Sequence, residues 1–270
     1  MFLGDLSTAA EKFAIELTTQ QLNQFDRYYR LVIDWNRRMN LTAIVEPQEF
    51  AIKHIIDSLS LVRAGFELEG KRAIDVGTGA GCPGIPLKIF FPTMRLTLLD
   101  SLNKRVEFLR AAIAELGLEC VDCIHARAEE SAHSELREAF DISMARAVAK
   151  MNVLTEYCLP FVSKGGLFVA FKSANVCEEL DEARAAIKIL GGKLLETTAL
   201  TLPNGDARSI VRIKKIAATP IHFPRRAGIP ERKPLSNSLL TGVRRMPKQF
   251  LERAAIVSDI AEIVTDFAGD

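Results

Sequence analysis

The chain has 270 residues, 48% hydrophobic and 26% charged, an ordinary composition for a soluble globular protein and long enough to bury a sizeable core. No apolar run approaches the roughly 20 residues needed to span a bilayer, the N-terminus lacks the basic-then-apolar plan of a secretory signal, and five cysteines make a poor disulfide framework. These features argue against membrane, secreted and disordered classes and lead us to expect reduced thiols in a cytoplasmic protein.

The first 65 residues read as helical. Leu22, Phe25, Tyr29, Val32 and Met39 form one apolar stripe, with Thr18 and Thr19 as candidate N-caps. Asn40-Leu41-Thr42 interrupts the pattern, and Pro47 suits the first turn of a second helix carrying Phe50, Ile52, Ile55, Ile56, Leu59 and Val62. From Lys71 the character changes. Short apolar runs at 73–74, 96–99, 121–124, 142–144 and 167–171 alternate with helical spacing such as Val106, Leu109, Ile113 and Leu116, the signature of a parallel sheet flanked by helices. Runs at 194–200 and 210–213 are separated only by Pro203-Asn204-Gly205-Asp206, so an antiparallel hairpin is expected at the edge of the sheet. Beyond Ala217, four prolines at 220, 224, 230 and 234 predict an extended basic arm, and residues 250–267 have the pattern of an amphipathic helix.

Charge is distributed unevenly. Residues 208–253 hold twelve Lys and Arg against Glu231 and Glu252, a net of +10, which leaves −9 for the remainder of a chain whose total is +1. A basic end on an acidic body points to a polyanionic partner.

The segment Ile74-Asp75-Val76-Gly77-Thr78-Gly79-Ala80-Gly81-Cys82-Pro83-Gly84 leaves the first strand and enters a helix, where glycines let backbone approach a ligand. Its spacing puts Cys82 where a dinucleotide fingerprint needs glycine, and no Gly-Lys-Ser/Thr follows as in a phosphate loop. Asp75, two residues before the loop, is expected to turn a carboxylate toward the ligand, which disfavours a pyrophosphate and suits a cation such as S-adenosylmethionine. Asp100, ending the second strand, can accept both ribose hydroxyls or cap the next helix.

Several other features have plain readings. His54 and Asp57 share a helix face without further ligands and read as a packed polar pair rather than a metal site. Cys120-x-x-Cys123 has no second pair, Cys158 reads as a buried small residue, and Tyr28, Tyr29 and Trp35 read mainly as core.

Taken in order and spacing, Trp35-Asn36-Arg37-Arg38-Met39-Asn40-Leu41-Thr42, His54-Ile55-Ile56-Asp57-Ser58-Leu59, the loop just described, Leu98-Leu99-Asp100-Ser101-Leu102-x-Lys104-Arg105, Ala145-Arg146-Ala147-Val148-Ala149 and Pro224-Arg225-Arg226-x-Gly228-x-Pro230 resemble the RsmG/GidB family. The resemblance runs from about residue 20 to 235. It implies an α/β fold: a class I, Rossmann-like methyltransferase with a mostly parallel seven-stranded sheet, an antiparallel edge hairpin and a preceding helical region. It implies transfer of a methyl group from S-adenosylmethionine to N7 of a guanine in 16S ribosomal RNA of the small subunit. Carried onto this chain, the family's cofactor positions fall on Gly77, Cys82, Ala128, Glu129 and Arg146, with Cys82 expected to contribute backbone; the reading of the loop and strand end adds Gly79 and Asp100 as cofactor-binding. Arg127, Arg146, Lys172 and Arg208 fall on basic positions around the substrate mouth. No general base and no metal are expected.

The expected organisation is a helical region at 1–66, the S-adenosylmethionine-binding domain at 67–217, the basic Pro-rich arm at 218–235 touching RNA backbone, and an extension at 236–270 that is partly helical. The alternatives are a methyltransferase for a small molecule or protein, and an RNA-binding assembly factor with a vestigial pocket.

Overall fold

The computed structural model describes residues 1–174 and 176–236. The expected helix at 250–267 and most of the expected C-terminal extension lie outside the described residues.

Two helices, α1 (Phe2–Lys12) and α2 (Thr19–Asn36), open the chain. Thr18 caps α2 as expected. Its side chain accepts from the Gln21 N–H while Gln21 reaches back to the Thr18 N–H, closing a capping box. The second helical run begins at Pro47, as its fixed φ favours, but is not uniform. The short α3 (Pro47–Phe50) passes into a π-helical stretch, Ala51–Ile56, and then into α4 (Asp57–Arg63).

The remaining elements alternate. They are β1 (Arg72–Val76), α5 (Gly84–Phe90), β2 (Arg95–Asp100), α6 (Asn103–Leu116), β3 (Val121–His125), α7 (Ala128–Ser131), β4 (Phe140–Arg146), α8 (Met151–Cys158), β5 (Val162–Ser173), α9 (Cys177–Ile189), β6 (Gly192–Thr201), β7 (Ala207–Lys215) and the single turn α10 (Ile229–Arg232). The sheet has seven strands in the order β3-β2-β1-β4-β5-β7-β6. Pairings among β1 to β5 are parallel, and β7 runs antiparallel between β5 and β6. The expected hairpin is present, with β6 at the edge and β7 drawn inside it.

Alternation along the central strands builds two cores, because successive side chains point to opposite faces. Val169 and Phe171 of β5 join one cluster with Phe25, Tyr28 and Phe50 of the N-terminal helices; Phe168 and Ala170 join the other with Tyr157, Leu159 and Ile187. The N-terminal helices therefore cover one face of the sheet beside α5 and α6. Strand order reverses at β1 and β4, and in such sheets ligands bind at the carboxyl ends of the strands near that point.

The segment after β7 does not extend into solvent. Arg137 donates to the carbonyls of Thr219, Pro220 and Phe223, His133 meets the Pro224 carbonyl at 2.8 Å, and Phe223 and Leu235 are buried. Arg225 forks onto Glu156, a carboxylate with no solvent exposure, through Nε at 2.8 Å and NH2 at 2.6 Å, with its own N–H on the same group. Removing the cation would strand a buried charge, which typically costs about 3–5 kcal/mol. Arg225→Ala should lower unfolding stability in urea by about that amount, whereas Arg226→Ala, at an exposed neighbour, should stay within about 0.5 kcal/mol. Equal effects of the two variants would contradict this pairing.

Candidate functional site

The glycine loop between β1 and α5 is held from both sides. The N–H groups of Gly77 and Thr78 donate to the Leu99 carbonyl at the end of β2, and the Gly79 N–H donates to Asp100 Oδ2 at 2.9 Å. Gly77 has φ +72°, and a Cβ there would lie 2.8 Å from Val148 Cγ2, so only glycine allows both the turn and the contact. Tyr28, fully buried, donates to the Ala80 carbonyl and lies 3.3 Å from Cys82 Sγ. An N-terminal helix thereby clamps the loop.

Asp75 departs from its expectation. It is fully buried and does not face a cavity: its Oδ2 accepts from the Thr78 hydroxyl at 2.6 Å and the Gly84 N–H at 2.8 Å, while Oδ1 has no hydrogen-bond partner. Burial pushes its carboxyl up to about 6. The acidic residues that line a cavity beside the loop are Asp100, Glu129 and Glu231.

A cavity of about 120 Å³ lies beside the loop, lined by Gly77, Asp100, Arg127, Ala128, Glu129 and Val148, among others. Both Asp100 oxygens have internal partners: Oδ1 accepts from the Leu102 N–H at 2.9 Å, and Oδ2 takes Gly79 and, at 3.4 Å, Arg105. Leu102, not Asp100, occupies the N-cap of α6. Glu129 is buried rather than solvated, and its Oε1 accepts from the Gly228 N–H at 3.1 Å. Arg127, expected on the substrate side, is exposed and lines this cavity. Gly79 and Cys82 are not among its lining residues, and the Cys82 N–H is spent on the Thr78 carbonyl. Two carboxylates beside a tight glycine turn fit a cationic nucleoside such as S-adenosylmethionine and repel a pyrophosphate.

A second cavity, of about 480 Å³, is lined by Lys53, His54, Asp57, Arg146, Lys172, Glu179 and Arg208, among others. Arg146, carried over as a cofactor and substrate residue, lies here and not among the lining of the first cavity. Its NH1 donates to the Lys53 carbonyl at 2.9 Å and to Asp57 Oδ2 at 3.2 Å, and NH2 meets His54 Nδ1 at 3.1 Å. Asp57, only 5% exposed, also takes Arg208 Nε on Oδ1 at 3.1 Å, so one carboxylate joins the ends of β4 and β7. Lys172 is paired with Glu179 at 2.6 Å and donates to the Ala149 carbonyl.

His54 and Asp57 are indeed a packed polar pair, yet what they pack against is the cationic cluster, a role the i, i+3 spacing alone did not reveal. The π-helical turn brings Lys53, His54 and Asp57 together on Arg146. No sequence signal announced that turn. Between the two cavities runs Arg146-Ala147-Val148. Ala147 has φ +57°, a left-handed conformation that costs a non-glycine residue about 1–2 kcal/mol. The turn sends Arg146 to one cavity and Val148 to the other.

Burial first, and Arg146 second, push the His54 imidazole down to about 3. The unfolded chain takes up this proton near pH 6.5, whereas the folded chain resists until about 3, so stability is lost as pH falls through that window. The stability difference between wild type and His54→Gln, measured in urea, should therefore shrink from pH 7 to pH 4, with a slope approaching about 1.4 kcal/mol per pH unit. Parallel stability curves would show that the ring is not held neutral by the fold.

Comparison with known proteins agrees with this geometry. Residues 21–211 match the family model GidB, described as rRNA small subunit methyltransferase G. Among curated proteins, Ribosomal RNA small subunit methyltransferase G of Alkaliphilus metalliredigens is 47% identical over 232 residues, covering 85% of this chain and 97% of that protein. Its counterpart in Desulforamulus reducens is 48% identical over 234 residues, covering 86% and 97%. Among solved structures, a mutant of MtNAS superposes with a TM-score of 0.50 at 17% identity, over 78% of this chain and 76% of that one, a likeness of fold alone. With the matched model spanning most of the sheet and its glycine loop, and relatives aligned over most of the chain, this protein belongs to the GidB family of rRNA small subunit methyltransferases.

Proposed function

We propose that this chain transfers the methyl group of S-adenosylmethionine to N7 of a guanine in the 16S RNA of the small ribosomal subunit, in the cytoplasm. The observation that carries this reading is the pairing of an acid-walled cavity with a cation-rich one across a single backbone turn, Arg146-Ala147-Val148. When bound, the cofactor supplies an electrophilic methyl group on a sulfonium. Asp100 and Glu129 supply carboxylates on that side, with Asp100 at the end of β2 suited to ribose hydroxyls.

Guanine N7 offers an in-plane lone pair and carries no proton. The N–C bond forms as the S–C bond breaks, no proton leaves, and the chain needs no general base. What its residues must do is align the two reactants, an effect that can contribute several kcal/mol. In the second cavity Lys53, Arg146, Lys172 and Arg208 outnumber Asp57 and Glu179, which leaves net positive charge for RNA phosphate. Arg146 spends donors on Lys53, His54 and Asp57, so it positions rather than grips. Arg208 donates through Nε to Asp57, through NH1 to the Ala207 carbonyl and, at 3.5 Å, through NH2 to Asp206, and the N–H groups left on its two terminal nitrogens form a fork of the kind that can hold phosphate or guanine O6 while leaving N7 open. Asp57 is the positioning residue for both. Arg127 adds a cation at the cofactor-side rim.

The test uses tritiated S-adenosylmethionine with small subunits from a strain lacking this gene, followed by borohydride-aniline cleavage at 7-methylguanine. Wild type should create one new cleavage site in 16S RNA, and Asp100→Ala should lower its yield at least about tenfold, the loss expected when a directional charged hydrogen bond of 1.5–3 kcal/mol goes. Label incorporated without cleavage would contradict N7 as the acceptor, and absence of label from RNA altogether would overturn the ribosomal reading.

A further inference from the structure

The sequence predicts that residues 218–235 form a basic arm for RNA. The structure gives it a different neighbour. Glu231, on the single turn α10, is one of the groups lining the acid-walled cavity. Tyr157 of α8 lines the same wall. The Gly228 N–H is bound to Glu129, itself a wall of the cavity, so the segment touches the site through backbone as well as side chain.

Three further attachments fix the segment to the body around the cavity. Arg225 is locked onto the buried Glu156 of α8, the residue next to Tyr157. His133 holds the Pro224 carbonyl, and Arg137 gathers the carbonyls upstream of it. A segment built only to reach RNA would have no need to bury Phe223 and Leu235 or to commit its first arginine to an internal carboxylate. Arg226, Arg232 and Lys233 are exposed, with Arg232 Nε donating to the Gly228 carbonyl at 3.0 Å.

We infer that residues 219–235 form a strap that completes the cofactor cavity, with Glu231 as a cofactor-positioning residue contributing a third carboxylate to the wall that holds the cationic nucleoside. This rests on the assignment of that cavity to S-adenosylmethionine. The strap is anchored to Glu129, so cofactor affinity depends on strap anchorage even without RNA. The exposed cations Arg226 and Lys233 can meet phosphate while Glu231 lines the cofactor cavity, which makes one short segment common to both substrates.

The test is isothermal titration of the full chain with S-adenosylhomocysteine, without RNA, for wild type, Glu231→Ala, Glu231→Gln and a control, Arg226→Ala. Binding to small subunits is measured in parallel by filter retention. Glu231→Ala should weaken S-adenosylhomocysteine about tenfold, with Glu231→Gln intermediate, while subunit binding stays within twofold. Arg226→Ala should show the reverse pattern. Circular dichroism and the urea midpoint establish that each variant is folded. An unchanged S-adenosylhomocysteine affinity in folded Glu231→Ala would overturn the strap while leaving the cavity assignment intact. A wild-type chain that binds no S-adenosylhomocysteine would overturn both.

Discussion

One buried carboxylate holds the substrate side of this molecule together. Asp57 sits at the start of α4, nearly out of solvent, and accepts one guanidinium on each oxygen: Arg146 from the end of β4 and Arg208 from the start of β7. Burying an ion pair is costly unless its remaining donors and acceptors are also satisfied. Here the Lys53 carbonyl and the neutral His54 ring take further Arg146 donors, and the Thr42 hydroxyl closes on His54 Nε2 at 2.8 Å. The network joins the 40–42 loop, the π-helical turn and two strand ends. It adds a polar tie to the apolar packing of the N-terminal helices on the sheet.

The charge logic of the two cavities follows. On the β1–β3 side, Asp100 and Glu129 form an acidic wall around a glycine turn, where a cationic nucleoside is favoured. On the β4–β7 side, cations exceed acids, but Asp57 ties Arg146 and Arg208 and Glu179 ties Lys172, so the positive charge is placed rather than diffuse. A neutral His54 matters here. A charged ring 3.1 Å from Arg146 would add like-charge repulsion in a low-dielectric setting. The strained Ala147 turn separates the compartments by only one residue, the closeness that in-line transfer between two bound partners requires.

Much of this was legible in the sequence, and unevenly so. The strand runs fell inside the observed strands because period-two and buried patterns are local, and Thr18 and Pro47 marked helix starts because capping is local too. The glycine loop was legible for the same reason. What the sequence did not disclose was long-range partnership. Asp75 looked ligand-facing from its position, but the fold turns it onto Thr78 and Gly84. His54 and Asp57 looked like an isolated pair because their partners lie about ninety and one hundred and fifty residues away. The proline spacing after Ala217 suggested an extended arm, while Glu156, which holds Arg225, sits in an apolar helix where nothing local predicts a buried charge.

The most direct test of this account measures two affinities in one variant. Asp57→Asn keeps the shape of the side chain but removes the charge that joins Arg146 to Arg208. The account predicts that KM for small subunits rises about tenfold or more, as expected when a charged hydrogen bond worth 1.5–3 kcal/mol is lost, while the Kd for S-adenosylhomocysteine stays within about twofold of wild type. An unmoved KM, or a loss of S-adenosylhomocysteine affinity as large as the rise in KM, would contradict a site divided into cofactor and RNA compartments and held by this carboxylate.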